Sequence, residues 1–274
     1  MPELPEVETI VRALNDGGRG AAALPGRTVQ TVRVLWQRTT VVPEPDLWSD
    51  RLAGQRLMQV SRRGKFVLLQ FQPDTVLFHL RMSGDLRVEP EGQSPLLHDR
   101  LLITFTDGLR LAFNDTRKFG RAWLTGKPED ILGKLGPEPL EDTFTPEWLY
   151  AALRKRNRQL KPLLLDQSFI AGLGNIYTDE ALHAARLHPL RLSSSITQPE
   201  ATALCSAIRA VLMEGIRRNG ASIDWVYRGG DFQNYFQVYG RKGLPCLTCG
   251  TPITRLLVGQ RGTHVCETCQ HENS

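Results

Sequence analysis

Four cysteines near the end of the chain form two Cys-x2-Cys pairs, and this pattern constrains the fold more than any other feature. Cys246 and Cys249 make one pair, and Cys266 and Cys269 make the other after sixteen intervening residues. Two such pairs can supply four thiolates to one tetrahedral zinc ion, which leaves no coordination position open for a catalytic water. The spacing therefore predicts one structural zinc ion (Zn2+) per chain, held by all four cysteines.

Two disulfide bonds are the alternative use of these four residues. The chain has five cysteines, and Cys205 lies far from the others. An odd count with local clustering argues against a disulfide scaffold and for a metal in a reducing cytoplasm. The N-terminus is acidic and contains prolines, unlike a secretory signal, and no apolar stretch is long enough to span a bilayer. We therefore expect a cytoplasmic protein with no membrane partner.

Hydropathy patterning gives the N-terminal half a helix followed by short strands. Apolar residues repeat at helical spacing over residues 5–14. From about residue 27 to 125, runs rich in Val, Ile, Leu, Phe and Thr alternate with turn residues, as is typical of a sandwich or barrel. The candidate strands are 28–34, 57–61, 65–71, 75–80, 101–106 and 109–113.

The C-terminal half is predicted to be helical up to the cysteines. Thr145 is followed by Pro146, which is typical of a helix start, and Thr197 and Glu200 have the spacing of a capping box. We predict an α+β fold, in which a β-sandwich flanked by helices precedes a helical domain and a zinc finger. The predicted limits are 1–130 for the sandwich, 131–143 for a linker, 144–236 for the helical domain and 237–274 for the finger.

The charge of the chain permits a nucleic-acid partner without proving one. The net charge is +5 over 274 residues, which is moderately basic. Arg261 lies between the two cysteine pairs, where an arginine at a hairpin tip can contact phosphate. An ordinary solvated tip explains it equally well, so residue type alone leaves both interpretations open.

The N-terminus can carry amine chemistry. Aminopeptidase is expected to remove Met1 and expose the secondary amine of Pro2, which can attack C1′ of a deoxyribose and form an iminium ion. Carboxyl groups at Glu3 and Glu6 would be close enough to move protons. Taken alone this hypothesis is weak, because most Met-Pro starts are inert and glutamates in a first helical turn commonly complement the helix dipole.

Six ordered motifs resemble those of the bacterial formamidopyrimidine-DNA glycosylase family over essentially the whole chain. They are PELPEVET at 2–9, RGKF at 63–66, HLRMSG at 79–84, NDTRKFG at 114–120, IAGLGNIY at 170–177, and the cysteine module with QVYGR at 237–241 and GQRGT at 259–263. The resemblance implies that Pro2 is the nucleophile, Glu3 the acid/base residue, Glu6 a support and Lys65 a contact to phosphates flanking the lesion.

The resemblance also implies how damaged DNA is held. Met82, Arg117 and Phe119 match the trio that fills the hole left by a flipped nucleotide, since apolar side chains can wedge between bases. Without the family, Met82 and Phe119 would be interpreted as core residues and Arg117 as half of an ion pair. Asn175, in the turn of a helix–two-turn–helix element, and Arg261 would bind phosphate. Further basic surface is expected at Arg154, Lys155, Arg156, Arg158 and Lys161.

The implied function is a bifunctional glycosylase/AP lyase of base excision repair. It would remove formamidopyrimidines and 8-oxoguanine opposite cytosine, and then cut the strand by β- and δ-elimination. The expected partner is damaged double-stranded DNA, bound by a monomer in the cleft between the domains, with residues 222–230 as a mobile loop over the extruded base. The alternatives are an endonuclease VIII-like enzyme for oxidised pyrimidines and a non-catalytic DNA-binding zinc protein.

Overall fold

The computed structural model describes residues 1–18, 22–222 and 229–272. They form two compact units: residues up to 133 together with 219–222 and 229–230, and residues 134–218 together with 231–272. The residues at 219–222 and 229–230 therefore group with the sandwich, whereas we assigned them to the helical domain. Most of the predicted mobile loop, 223–228, lies outside the described residues.

The first helix begins with a cap supplied by its own glutamates. The helix predicted over 5–14 is present as α1 (Leu4–Asp16), with Glu3 at the N-cap forming a capping box with Glu6. Its apolar face, which includes Val7, Ile10 and Leu14, is buried in the core of the first unit. α1 packs on the hairpin formed by the third and fourth strands.

Two sheets make up the rest of the first unit. Their strands are β1 (Val29–Val34), β2 (Thr40–Val42), β3 (Gln59–Arg63), β4 (Phe66–Gln70), β5 (Thr75–His79), β6 (Gly84–Pro90), β7 (Asp99–Phe105), β8 (Leu109–Asp115) and β9 (Arg121–Thr125). The orders are β1-β7-β8-β6 and β2-β9-β5-β4-β3. Two short helices, α2 (Leu47–Leu52) and α3 (Glu129–Leu132), accompany them. Phe78 of one sheet and Phe113 of the other meet in the core with ring centroids 5.1 Å apart.

All six predicted strands are present, with each end within two residues of its predicted position. Three others, β2, β6 and β9, were not predicted. β2 has only three residues. β6 carries Arg87 and Glu89 within the sheet, where the Arg87 Nε donates to the Glu89 carboxylate at 2.6 Å. This charged strand is stabilised by pairing with β8 and by the ion pair of Arg87 with Glu89, so its amino-acid composition alone does not predict a strand.

The second unit consists of helices and one hairpin. They are α4 (Pro146–Arg154), α5 (Leu160–Leu164), α6 (Asn175–Ala184), α7 (Gln198–Arg217), β10 (Thr254–Val258) and β11 (Arg261–Val265). Both predicted helix starts are confirmed: Thr145 Oγ1 accepts a hydrogen bond from the Trp148 amide at 3.1 Å, and Thr197 forms a capping box with Glu200. Within the described residues, no helix combines the length and hydropathy needed to cross a membrane.

Candidate active site and nucleic-acid interface

The first turn of α1 brings two buried carboxyl groups next to the N-terminal proline. Pro2 is buried, and Glu3 and Glu6 are each 2% exposed. Glu6 Oε2 accepts a hydrogen bond from the Glu3 amide at 2.8 Å, and Glu6 Oε1 accepts one from the Ala221 amide at 2.7 Å. Glu6 therefore ties the N-terminal turn to a segment near the far end of the chain, which is more than helix-dipole complementation.

A glycine makes this contact to Glu6 sterically feasible. Gly220 has φ 78°, and a Cβ built on it would lie 2.7 Å from Glu6 Oε1. An alanine there would be strained by its backbone conformation and would also displace the carboxylate. Gly220 follows Asn219, a pair typical of a helix end, but nothing in the sequence indicates that this glycine contacts Glu6.

Lys65 lies in the turn between β3 and β4 and is only 5% exposed. An ordinary turn lysine is solvated, so this burial argues against that interpretation. The hairpin is fixed to α1 at two places: Arg62 Nε is 3.1 Å from Glu8 Oε2, and the Val60 amide donates to the Asn15 side chain at 3.1 Å. Lys65 and Glu3 are thus carried by two elements that are bound to each other.

Met82, Arg117 and Phe119 are exposed at the ends of neighbouring strands. Met82 is 39% and Phe119 is 48% exposed, so the hypothesis that these two side chains are core residues is wrong. The Arg117 guanidinium lies 5.1 Å from the centroid of the Phe119 ring. A large apolar side chain left in water beside an arginine is the composition expected of a surface that inserts into stacked bases.

Two buried residues hold the turns that carry this trio together. Asp115 is 1% and Ser83 is 2% exposed, and the Ser83 hydroxyl donates to the Asp115 carboxylate. Ser83 Oγ also accepts from the Arg117 amide at 3.0 Å, and Asp115 Oδ2 accepts from the Gly120 amide at 2.6 Å. Neither residue was singled out from the sequence, although both lie inside the motifs that predicted the trio.

In the second unit, one predicted basic residue is not on the surface. Lys161 is fully buried, and its Nζ donates to Asp179 Oδ1 at 2.6 Å and to the Gly262 carbonyl at 3.0 Å. Its assignment to a DNA-binding surface is therefore wrong, because a buried ammonium group needs an anionic partner and cannot face solvent. The other four predicted basic residues, Arg154, Lys155, Arg156 and Arg158, are exposed.

Helix α6 holds the zinc-finger segment through carboxylates. Asp179 Oδ2 accepts a hydrogen bond from the His264 amide at 2.9 Å. The Glu180 carboxylate accepts three, from the amides of residues 237, 238 and 239, at 2.8 to 3.0 Å. Burial raises the pKa of Glu180, while these amides act in the opposite direction. We assigned Glu180 no role from the sequence, and the structure shows that it anchors the chain entering the finger.

The two residues of this unit that were predicted to contact phosphate lie close together, because Asn175 bonds the residue that follows Arg261. Asn175 is the first residue of α6, and its Nδ2 donates to the Gly262 carbonyl at 3.0 Å. Arg261 is the preceding residue and is exposed after a two-residue turn in which Gly259 and Gln260 both have positive φ, the conformation of a tight hairpin. The Asn175 amide carries a second hydrogen besides the one that it donates to Gly262.

The four cysteines of the finger converge as a metal site. Their Sγ atoms all lie within 4.8 Å of one another, and the pairs 246/269 and 249/266 are 3.9 and 3.4 Å apart. A zinc ion with Zn–S bonds of about 2.3 Å requires tetrahedral sulfurs roughly 3.8 Å apart, so the cluster fits zinc. All four are free thiols, which excludes the disulfide alternative.

Three family models together match most of the chain. Residues 1–122 match the formamidopyrimidine-DNA glycosylase N-terminal domain, and residues 135–226 match the formamidopyrimidine-DNA glycosylase H2TH domain. Residues 243–271 match a zinc finger found in FPG and IleRS. The third match independently identifies the four-cysteine cluster as a zinc-finger site.

Curated relatives and solved structures match over almost the whole chain. The formamidopyrimidine-DNA glycosylase of Pelotomaculum thermopropionicum is 43% identical, covering 98% of this chain and 99% of the relative. The enzyme of that name from Enterococcus faecalis is 40% identical, covering 98% and 97%. Among solved structures, Lactococcus lactis Fpg (MutM) in complex with DNA containing N7-benzyl-Fapy-dG superposes with a TM-score of 0.90. The two sequences are 34% identical, and the match covers 98% of this chain and 100% of the other chain.

Proposed function

This chain belongs to the formamidopyrimidine-DNA glycosylase family, and we propose that it excises oxidised purines from double-stranded DNA and then cuts the strand through an iminium formed on Pro2. The substrates would be formamidopyrimidines and 8-oxoguanine opposite cytosine. The observation that carries the proposal is the pair of buried carboxyl groups, Glu3 and Glu6, directly beside the proline. The Lactococcus lactis relative has been solved with DNA containing N7-benzyl-Fapy-dG and with DNA containing an abasic site.

In the proposed reaction, removal of Met1 frees the secondary amine of Pro2, which attacks C1′ of the damaged nucleotide and loses its proton. The bond to the base breaks and the base leaves protonated, with Glu3 as the acid/base residue of this step. Glu3 supplies and removes the protons of sugar ring opening, because a buried carboxyl group beside the reacting carbon can act as both acid and base. The ring-opened sugar is then an iminium that makes the 2′-hydrogen acidic. Removal of the 2′-hydrogen expels the 3′-phosphate by β-elimination, and a following δ-elimination expels the 5′-phosphate.

Glu6 would support this chemistry without exchanging protons with the sugar. Its two oxygens are already engaged by the amides of Glu3 and Ala221, which fix the turn on which Pro2 and Glu3 lie. Rigid placement matters because proton transfer requires donor and acceptor within hydrogen-bond reach of the reacting atom. The assignment of Glu6 as a support therefore follows from its two amide partners.

We propose that the exposed trio replaces the flipped nucleotide. Met82 and Phe119 would wedge into the vacated stack, and Arg117 would face the widowed base, its guanidinium placed by the Phe119 ring. Lys65, Asn175 and Arg261 would bind phosphates. The monomer would act in the cytoplasm on damaged DNA.

A preference for oxidised pyrimidines is the second candidate, as in endonuclease VIII. It gains support from one observation: the Lactococcus lactis relative has also been solved with DNA containing an oxidised pyrimidine. A panel of duplexes carrying one defined lesion each, cleaved under single-turnover conditions, separates the two. Faster cleavage of an oxidised pyrimidine than of formamidopyrimidine and 8-oxoguanine would overturn the purine assignment.

Borohydride trapping tests the proposed chemistry and the rival hypothesis of a non-catalytic binding protein. Incubation with an abasic duplex and borohydride should yield one covalent adduct that maps to Pro2, because reduction fixes the iminium. Glu3→Gln should lose excision of 8-oxoguanine while still binding DNA. An adduct on Lys65, or no adduct from protein shown to lack Met1, would contradict the mechanism.

A further inference from the structure

A histidine of helix α6 lies against one sulfur of the zinc-finger site. His183 Nε2 is 3.6 Å from Cys246 Sγ, and the two side chains are 7% and 3% exposed. Among the described residues, the group whose ligand atoms all lie within 4.8 Å of one another consists of the four cysteines and does not include His183. The histidine therefore contacts a ligand of the site without being placed as a ligand itself.

The Cys246 sulfur accepts one hydrogen bond from the backbone and has a histidine ring nitrogen within reach of a second. The Thr248 amide donates to Cys246 Sγ at 3.4 Å. With its hydrogen on Nε2, the imidazole of His183 supplies a second donor to this sulfur from helix α6. When zinc is bound, Cys246 is a thiolate, and N–H donors around a metal ligand hold its orientation and withdraw charge from it. Because the thiolate is the reactive form of cysteine, such donors also lower its nucleophilicity.

A cavity lies beside the cluster on the side of His183. A cavity of about 280 Å³ is lined by His183 together with Thr248 and Cys269. Cys246 itself does not line this cavity, and His183 is a wall residue of the cavity that also contacts the Cys246 sulfur. A histidine placed only for packing would fill this space but would not need a ring nitrogen directed at the sulfur.

We propose that His183 is a positioning residue of the zinc site, whose Nε2–H donates to the Cys246 thiolate and slows attack on that sulfur by electrophiles. The role belongs to the metal site and is independent of base excision. It can therefore fail while the proposed enzymatic function stands, and the reverse also holds.

The test measures alkylation of each cysteine in the zinc-loaded full chain by iodoacetamide. In this reaction the sulfur forms a bond to the methylene carbon, iodide leaves and the Zn–S bond breaks. His183→Phe keeps an aromatic ring but removes the donor, so alkylation of Cys246 should become about tenfold faster, equivalent to about 1.4 kcal/mol. Alkylation of the exposed Cys249, followed in the same samples by peptide mass spectrometry, should change by less than about twofold.

Two further variants separate hydrogen bonding from packing. His183→Gln can place an amide N–H near the position of Nε2 and should return the Cys246 rate to within about threefold of the wild type. The matched control is His188→Phe. His188 is also buried, at 4% exposure, but its Nδ1 accepts a hydrogen bond from the Leu190 amide at 3.3 Å. This control should leave the Cys246 rate unchanged.

A spectroscopic readout addresses the sulfur directly. In protein loaded with cobalt(II) in place of zinc, the sulfur-to-metal charge-transfer band should move to lower energy in His183→Phe, because a hydrogen bond stabilises the sulfur lone pairs. The band should return in His183→Gln. An unchanged Cys246 rate and band in His183→Phe would overturn the proposal. So would equal acceleration at all four cysteines, since that indicates a loosened finger.

Discussion

The Glu6 carboxylate, in the first turn of α1, accepts a hydrogen bond from the backbone amide of Ala221, 215 residues further along the chain. The same carboxylate accepts from the Glu3 amide. Two backbone amides that would otherwise need solvent are thereby satisfied in a buried place, and the N-terminal turn and the 219–222 segment are held in one arrangement. Loss of this contact should therefore affect chemistry more than it affects folding.

Gly220→Ala tests this relationship. The substituted Cβ would lie 2.7 Å from Glu6 Oε1, so the carboxylate must move away from the Ala221 amide. We expect the single-turnover excision rate to fall at least about tenfold, or about 1.4 kcal/mol in activation free energy. The measurement is cleavage of an 8-oxoguanine duplex by excess enzyme.

The matched control for this variant is Gly54→Ala. Gly54 has φ +80°, close to that of Gly220, but nothing lies within 4 Å of its built Cβ. Both alanines carry a similar backbone strain, of about 1–2 kcal/mol, and only Gly220→Ala disturbs Glu6. If Gly54→Ala loses as much excision activity as Gly220→Ala, the loss reflects general destabilisation and the role of Glu6 is refuted.

Arg117 is predicted to read the base opposite the lesion. Cytosine offers the acceptors O2 and N3 to a guanidinium, whereas adenine has a C2–H in place of O2, and leaving buried donors unpaired costs about 1–3 kcal/mol. The wild type should thus prefer 8-oxoguanine opposite cytosine over adenine by roughly tenfold to hundredfold. Arg117→Ala should lower activity and flatten the ratio. Met82→Ala should lower the rates opposite cytosine and opposite adenine by the same factor, because an apolar wedge makes no hydrogen bond that distinguishes the two bases. An intact cytosine preference in Arg117→Ala would place the discrimination elsewhere.

Lys161→Met should destabilise the second unit strongly. It leaves the fully buried Asp179 carboxylate without its ammonium partner, and breaking a buried pair in this way costs about 3–5 kcal/mol. The midpoint of thermal unfolding should fall. The zinc finger should also pack less firmly on α6, because Lys161 Nζ donates to the Gly262 carbonyl as well. The double variant Lys161→Met with Asp179→Asn should recover part of the loss, since no unpaired charge remains.

The control for this prediction is a salt bridge at the surface. Arg158 and Asp166 are 2.8 Å apart, but their side chains are 48% and 33% exposed. Arg158→Ala should cost less than about 1 kcal/mol, because solvent screens exposed pairs. Equal destabilisation by Lys161→Met and Arg158→Ala would show that burial of the Lys161 pair has no energetic consequence.

His79 should make the first unit sensitive to mild acid. Burial, aided by the charges of Arg81 and Lys65, lowers the pKa of His79 from 6.5 to about 3. The unfolded chain binds a proton at His79 below pH 6.5, whereas the folded chain does not. The contribution of His79 to the free energy of unfolding is therefore fully present above pH 6.5. It is lost as the pH falls from 6.5 towards 3, at about 1.4 kcal/mol per pH unit.

His79→Asn isolates this contribution. The asparagine side chain can keep the acceptor that His79 Nδ1 offers to the Arg81 amide at 3.1 Å, but it does not titrate. The loss of unfolding free energy between pH 7 and pH 5 should be smaller in His79→Asn than in the wild type by about 2 kcal/mol. Denaturant titrations at the two pH values measure it. Identical losses in both proteins would mean that His79 is solvated in the folded state.

Local features of the sequence predicted the elements well. Helix starts at Thr145 and Thr197 depend on residues three positions apart, and apolar periodicity over α1 depends on neighbours within one or two turns. The cysteine spacing predicted the metal site for the same reason, because two short turns decide where each pair of sulfurs points. The family resemblance supplied Pro2, Glu3 and the exposed trio, whose local features alone were ambiguous.

The sequence by itself thus determined what short-range geometry controls: helix caps, most strands and the four-sulfur cluster. Only the tertiary structure decided that Lys161 is buried against Asp179, that Ser83 meets Asp115, and that Glu6 binds the Ala221 amide. A lysine in an amphipathic stretch has the same local pattern whether it faces solvent or a buried carboxylate. Its environment depends on residues far away in the chain, because packing brings them to the same place.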